Sequence, residues 1–223
     1  MVDSEKNHDA VLNGIKDELA SKLIAAGEKA FGRTFLDPPL NPNSVQERLR
    51  RLTYWVCCGV EAENANPTVG PHYRGNLNWV FSHIQHWIAM GSDYQKHHPE
   101  QKVHPLNLLT PDGKTAFHRA VEGAANETLQ ILLVHQKKLT KPNLNVKSKG
   151  ITPLGLLLRL GLDTPKRVAC FWVLVNHMLD HSTQDESCPL PLFAFQRMKD
   201  DPVQFAAFQA TVARKKAEGN RAV

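Results

Sequence analysis

No run of about twenty apolar residues occurs in the chain, so a membrane-spanning helix is not expected. The opening residues MVDSEKNHDAVLNG lack the basic region and apolar core that mark a secretory signal peptide. Cysteine is scarce. The four present, Cys57, Cys58, Cys170 and Cys188, lack metal-site spacing and two are adjacent, which reads as reduced thiols in a cytoplasmic setting. No H-E-x-x-H pair, phosphate loop, nucleotide fingerprint or serine elbow is present, so the sequence implies no metal and no cofactor. Strong charge of one sign is also missing. The formal net charge is +5, and the densest basic group is Lys137, Lys138, Lys141, Lys147 and Lys149, with no aromatic interleaved. Nucleic-acid readers gather bases on one face and add aromatics where single strands stack, so a solvated loop is the better reading here.

What is there suits a folded chain: 42% hydrophobic and 22% charged residues exclude disorder. Frequent punctuation by 14 prolines and 13 glycines points to many short elements. From Ala10 to Phe31 the apolar positions Val11, Leu12, Ile15, Leu19, Leu23, Ala26 and Ala30 have helical spacing, and Gly32 is a stop. Three prolines within Phe35–Asn43 exclude helix there. Ser44 and Glu47 have the capping-box pattern for a second helix with a stripe at Val45, Leu49, Leu52 and Val56. A loop is predicted over 64–76, a third helix from Leu77 to a stop at Gly91 (Val80, Phe81, Ile84 and Ile88 inward), and a connector over 92–106.

The run from Thr110 to Ala120 places Asp112-Gly113 before Thr115-Ala116-Phe117-His118, and a helix with Leu129, Leu132 and Leu133 follows. Gly150-Ile151-Thr152-Pro153-Leu154 repeats the opening 37 residues after Gly113, and Leu156–Leu160 continues as helix. Thr164-Pro165 starts another helix, Leu190-Pro191-Leu192-Phe193 keeps a Pro-Leu pair, and Asp201-Pro202 caps the last helix.

These openings resemble the ankyrin repeat, in which D-G-x-T-P-L-H-x-A joins a tight turn to a short helix with a period of about 33 residues. Glycine permits positive φ in the turn, which predicts it at Gly150; threonine caps the helix, and proline presets φ at its first position. In the family the histidine ties neighbouring turns together. Thr115 and His118 match those positions, whereas Ala116 replaces the proline, and Gly155 and Phe193 stand at the histidine position of later units. Gly75 lies 38 residues before Gly113, and Trp87–Asp93 loosely resembles the close of a unit, which suggests a divergent unit over 75–93.

The resulting expectation is an all-α chain: a helical head over 1–106, a short divergent ankyrin-repeat solenoid with its cap over 107–213, and a polar, frayed tail over 214–223. The resemblance implies a protein-binding module that meets a folded protein partner through its turn tips and concave helices. The residues so assigned are Arg119, Glu122, Asn145, Lys147, Lys149 and Arg159. An ankyrin array behind an unrelated helical head also resembles effectors that intracellular bacteria inject through type IV secretion, which implies action in a host-cell cytosol.

Three sharper readings compete with plain packing. His83, His86, His97, His98 and His104 fall within 22 residues, and the first two share a helical face, as a zinc pair would. No acidic residue lies between Ile84 and Ala89, so surface or packing histidines are the better reading. Cys57 or Cys58 with His72 or His83 as base would make a thiol hydrolase or transferase in the head, targeted by the repeats. A cysteine beside the apolar Val56 is more often inert packing. Trp55, Trp79, Trp87 and Trp172 read as packing, with Trp87 off the stripe and open to an anchoring role, and Arg48 and Arg51 read as a solvated face.

Overall fold

The computed structural model describes residues 18–35, 37, 44–65, 71–97, 105–134, 144–181 and 189–220. The first turns of the expected N-terminal helix, most of the proline-rich segment, His98, His104, Cys188, Lys137, Lys138 and Lys141 lie outside them. Among the described residues every extended element is helical; the one β-type pairing is an isolated bridge between Ser148 and Ile151. The all-α expectation is met.

Short side chains set the helix starts. Helix α1 is described over 18–31 and stops at Gly32, whose φ is +66°. Helix α2 (Val45–Asn64) begins at Ser44, whose hydroxyl accepts from Glu47 N at 3.0 Å. Helix α3 (Pro71–His97) and a 3-10 turn (Pro105–Asn107) lead to α4 (Ala116–Glu122), capped by Thr115, and α5 (Asn126–Val134). Thr152 caps α6 (Pro153–Leu160), accepting from Gly155 N at 3.1 Å, and Thr164 caps α7 (Pro165–His181) at 3.3 Å. Helix α8 (Leu192–Lys199) precedes α9 (Pro202–Asn220), where Asp201 accepts from the backbone of Val203 and Gln204 at 3.0 Å each.

The helices pack in two rows. Helices α2, α4 and α6 touch in succession, as do α3, α5 and α7, and each member of one row packs on its chain neighbour in the other. The last pair reverses this order: α9 packs on α6 and α8 on α7. Leu52, Val56 and Ile84 join Phe117, Leu129, Leu157, Phe171 and Phe195 in one buried cluster, so the core runs unbroken past residues 106 and 107. Truncating a fully buried phenylalanine such as Phe117 typically costs about 3–5 kcal/mol.

Several local expectations need correction. Helix α3 starts at Pro71, six residues before Leu77, because proline at the first helical position lacks an N–H that would have no partner there. It also passes through Gly91, which is buried; tertiary packing outweighs the roughly 1 kcal/mol that glycine costs inside a helix. The tail does not fray at Arg214, since α9 continues to Asn220, held by Lys216 Nζ against Asp163 at 3.1 Å.

Glu47 does not complete a capping box. It is 1% exposed and grips Arg50 at 2.8 Å and Arg51 at 2.9 Å. Burial pushes its carboxyl upward, but those two hydrogen-bonded arginines outweigh it and hold the group below its ordinary value. Arg50 in turn donates to the Phe35 carbonyl at 3.1 Å, fixing the segment after α1 onto α2. Arg48 is buried as well, so the expected solvated face is half interior; Arg51 keeps partial exposure and lies over the Trp87 ring at 5.7 Å.

Candidate partner-binding face

Two turns precede the short helices α4 and α6. In the first, Thr110 N donates to the Lys114 carbonyl at 2.9 Å and Gly113 N to the Thr110 carbonyl at 2.7 Å, with Gly113 at φ +79°. The Asp112 carboxylate closes the turn by bonding the Thr110 hydroxyl and receiving Arg119 Nη2 at 2.8 Å. In the second, Ser148 and Ile151 exchange hydrogen bonds at 2.8 and 3.0 Å around Lys149 (φ +50°) and Gly150 (φ +81°). Positive φ at both central residues is the signature of a tight primed turn, and the expectation for Gly150 is met.

His118 joins the two turns. Its Nε2 lies 2.9 Å from the Ile151 carbonyl and its Nδ1 2.8 Å from the Thr115 hydroxyl. A carbonyl can only accept, so Nε2 carries the proton and Nδ1 accepts from Thr115. The Thr115 hydroxyl is then free to accept from His118 N at 3.3 Å, completing the cap. Burial holds this imidazole below its ordinary value, although the bond to the Ile151 carbonyl works in the other direction.

The residues assigned from sequence separate into two groups. Asn145, Lys147 and Lys149 are exposed on the second turn, and Arg159 is exposed on α6. Glu122 keeps about half its side chain in solvent and holds Lys114 at 2.5 Å. Arg119 is different: it is 8% exposed, and its guanidinium is engaged by Asp112 and, at 3.2 Å, by the Thr110 hydroxyl. It holds the first turn to α4 from within. Arg119 therefore does not share an exposed stripe with Arg159, because a carboxylate seven residues upstream draws it inward.

Helix α1 lies over the row formed by α2 and α4. Lys22 Nζ is 3.2 Å from Glu61 on α2, and the Ala30 carbonyl accepts from Asp112 N at 3.3 Å. Between them a cleft of about 190 Å³ is lined by Leu23 and Ala26 of α1, Cys57 and Val60 of α2, and Arg119 and Glu122 of α4.

A junction without a sequence signal sits at the far end of α2. The Glu63 carboxylate accepts from the backbone N–H of Glu127, at 3.0 Å, and of Thr128, capping α5 from another helix. Lys166 Nζ, in the first turn of α7, reaches the Glu63 carbonyl and Asn64 Oδ1 at 2.7 Å each. Three helices thus meet on a pair of residues 64 and 103 positions away from their partners.

The chemistry-bearing residues of the competing readings are placed otherwise. Burial pushes the Cys57 thiol up to about 11 and the Cys58 thiol up to about 12, and Cys58 shares a hydrogen bond with Tyr54. His83 stacks on Trp55 at 4.1 Å with Trp79 edge-on, and His86 lies against Trp87; the His72 side chain is outside the described atoms. No group of three or more histidine, cysteine or carboxylate side chains is arranged to hold a metal among the described residues. No helix there is long and apolar enough to cross a membrane.

No protein-family model, curated protein or solved structure matches the chain.

Proposed function

We propose that the chain is a short, divergent array of ankyrin-type units, preceded by further helices, that binds a folded protein partner. The observation that carries this reading is His118, which stands in the motif of one opening and hydrogen-bonds the Ile151 carbonyl of the next. The threonine caps at Thr115 and Thr152 and the two rows of successive helices support it. A stack of units that each bury one apolar face leaves turn tips and one helix row for recognition.

The contact surface is assigned to Asn145, Lys147 and Lys149 on the second turn and to Arg159 on α6, with Glu122 at its edge. Three of the four central side chains are cationic, so the partner presents carboxylates there, where a guanidinium binds in two-pronged fashion. Arg119 acts as the residue that holds the first turn. A thiol hydrolase or transferase gains no support from Cys57 and Cys58, because a thiol raised that far carries little thiolate at neutral pH. Their reduced, buried state suits a cytosol. Delivery into a host cell rests on the resemblance alone, and a translocation-reporter fusion tests it.

Tagged protein and its Lys147→Glu/Lys149→Glu/Arg159→Glu variant are to be compared in capture from native or host-cell lysate, with circular dichroism as the folding check. The variant is expected to lose the captured protein while keeping its helical spectrum. Undiminished capture by the folded variant would place recognition elsewhere.

A further inference from the structure

The face that α2 and α4 offer is already covered by a helix of the same chain, yet that helix is poorly seated. Along the described residues of α1, 18–31, only Gly27 and Ala30 are buried; Leu19, Leu23 and Ile24 are half-buried, and Lys22 pairs with Glu61 in solvent. A cleft remains beneath Leu23 and Ala26. Arg119, which lines it, has a buried Nε with no hydrogen-bond partner, as has Oδ2 of its ion-pair partner Asp112, and an unpaired buried polar group favours any rearrangement that wets it. Half-buried aliphatics and an exposed ion pair hold a helix only weakly.

We infer that the α2–α4 face is a helix-binding groove whose resident occupant is α1, exchangeable for a partner helix of the same pattern. That pattern is two aliphatic residues at i and i+4, as Leu19 and Leu23 are, a basic residue beside them to meet Glu61, and a small residue at the place of Ala30, which is fully buried and whose carbonyl meets Asp112 N. The inference deepens the binding-module reading and rests on it for its biological use, but the opening of α1 is measurable without any partner. Cys57 is the reporter. It lies in the cleft under α1, and both its burial and its raised pKa protect it from alkylation, so displacing α1 speeds its reaction twice over. Cys170, buried in α7 away from α1, is the internal control.

Iodoacetamide labelling of the full chain, followed peptide by peptide in a mass spectrometer, tests this with Leu23→Glu and Lys22→Glu. Leu23→Glu is expected to raise the Cys57 rate by tenfold or more and leave Cys170 unchanged. Lys22→Glu should give about a two- to fivefold rise, the range an exposed ion pair supplies. Adding Glu61→Lys to Lys22→Glu restores the pair with its charges swapped and should bring the rate back. A labelled peptide of residues 18–31 should bind the Leu23→Glu protein and not the unaltered one. Unchanged Cys57 labelling, Cys57 and Cys170 rising together, or no peptide binding to the opened variant would each overturn the inference. If Cys57 opens as expected while lysate capture is unaffected by the turn-tip variant, the groove stands and the turn-tip reading fails.

Discussion

His118 has one tautomer that satisfies both neighbours, and that tautomer is neutral. Protonating Nδ1 would set an N–H against the Thr115 hydroxyl, which must then give up its own donation. Because burial holds the folded-state pKa below the unfolded value near 6.5, the unfolded chain binds the proton more readily. The stability this residue contributes is therefore complete above about pH 6.5 and is lost as pH falls below it. Urea titrations at pH 7.5 and 5.5 should show the decline in the natural chain. His118→Ala should lower stability by about 1–2 kcal/mol at pH 7.5, since it removes the side-chain bonds to Thr115 and to the Ile151 carbonyl, which keeps only Ser148 N as donor, and should flatten the pH dependence over that window. An undiminished pH slope in the variant would mean another group titrates.

At this scale the sequence was legible where a residue's role is local. The threonine caps at 115, 152 and 164, the aspartate cap at 201 and the positive φ of Gly150 each follow from side-chain length or the missing Cβ. The partner-facing reading of Arg119, the capping-box reading of Glu47 and the solvated reading of Arg48 all fail because each side chain is drawn into the interior. For two of them the counter-charge is close in sequence, Asp112 for Arg119 and Arg50 for Glu47, and a search for opposite charges within two helical turns flags both.

Among the elements, the helices were found and their ends were not. Apolar periodicity located α2 and α5, the two motif openings located α4 and α6, and the Thr164-Pro165 pair located α7; α3 ran past its predicted end at Gly91 because a local glycine penalty is small against the packing of Val80, Ile84 and Ile88. The N-terminus of α5 carries no cap of its own type from its flanking residues; Glu63 supplies it from α2. Sequence cannot show a cap that comes from 64 residues away. Burial holds the Glu63 carboxyl above its ordinary value in spite of those N–H bonds, so the cap acts through its two acceptor oxygens more than through its charge. Glu63→Gln keeps the shape and one acceptor but turns the other into an NH2 facing a helix-end N–H, and should cost about 1 kcal/mol in chemical denaturation, the typical value for a lost cap. Glu63→Ala should cost at least as much, and a change below about 0.3 kcal/mol in both would remove the junction from the account.

On the scale of the whole molecule, the division expected at 106/107 does not interrupt the packing: α2 and α3 continue the two rows that α4 to α7 form. Motif matching sees only segments that carry the T-P-L-type opening, whereas the apolar faces of α2 and α3 pack in the same rows without it. The reversed order of α8 and α9 was equally hidden, since Phe195 and Phe208 bury against Phe171 whichever row each helix joins. That reversal leaves Phe193 and Val203, at the starts of α8 and α9, exposed at the end of the chain's stack. The aromatic face at the other end, where Trp79 is 56% exposed beside Trp55 and His83, is the surface most able to compete with the turn tips for a partner. Hydrogen-exchange mass spectrometry of the chain, alone and bound to its captured partner, decides between them. The account predicts protection over residues 144–160, covering the second turn and α6. Protection confined to α3 around Trp79 and His83, with 144–160 unchanged, would contradict it.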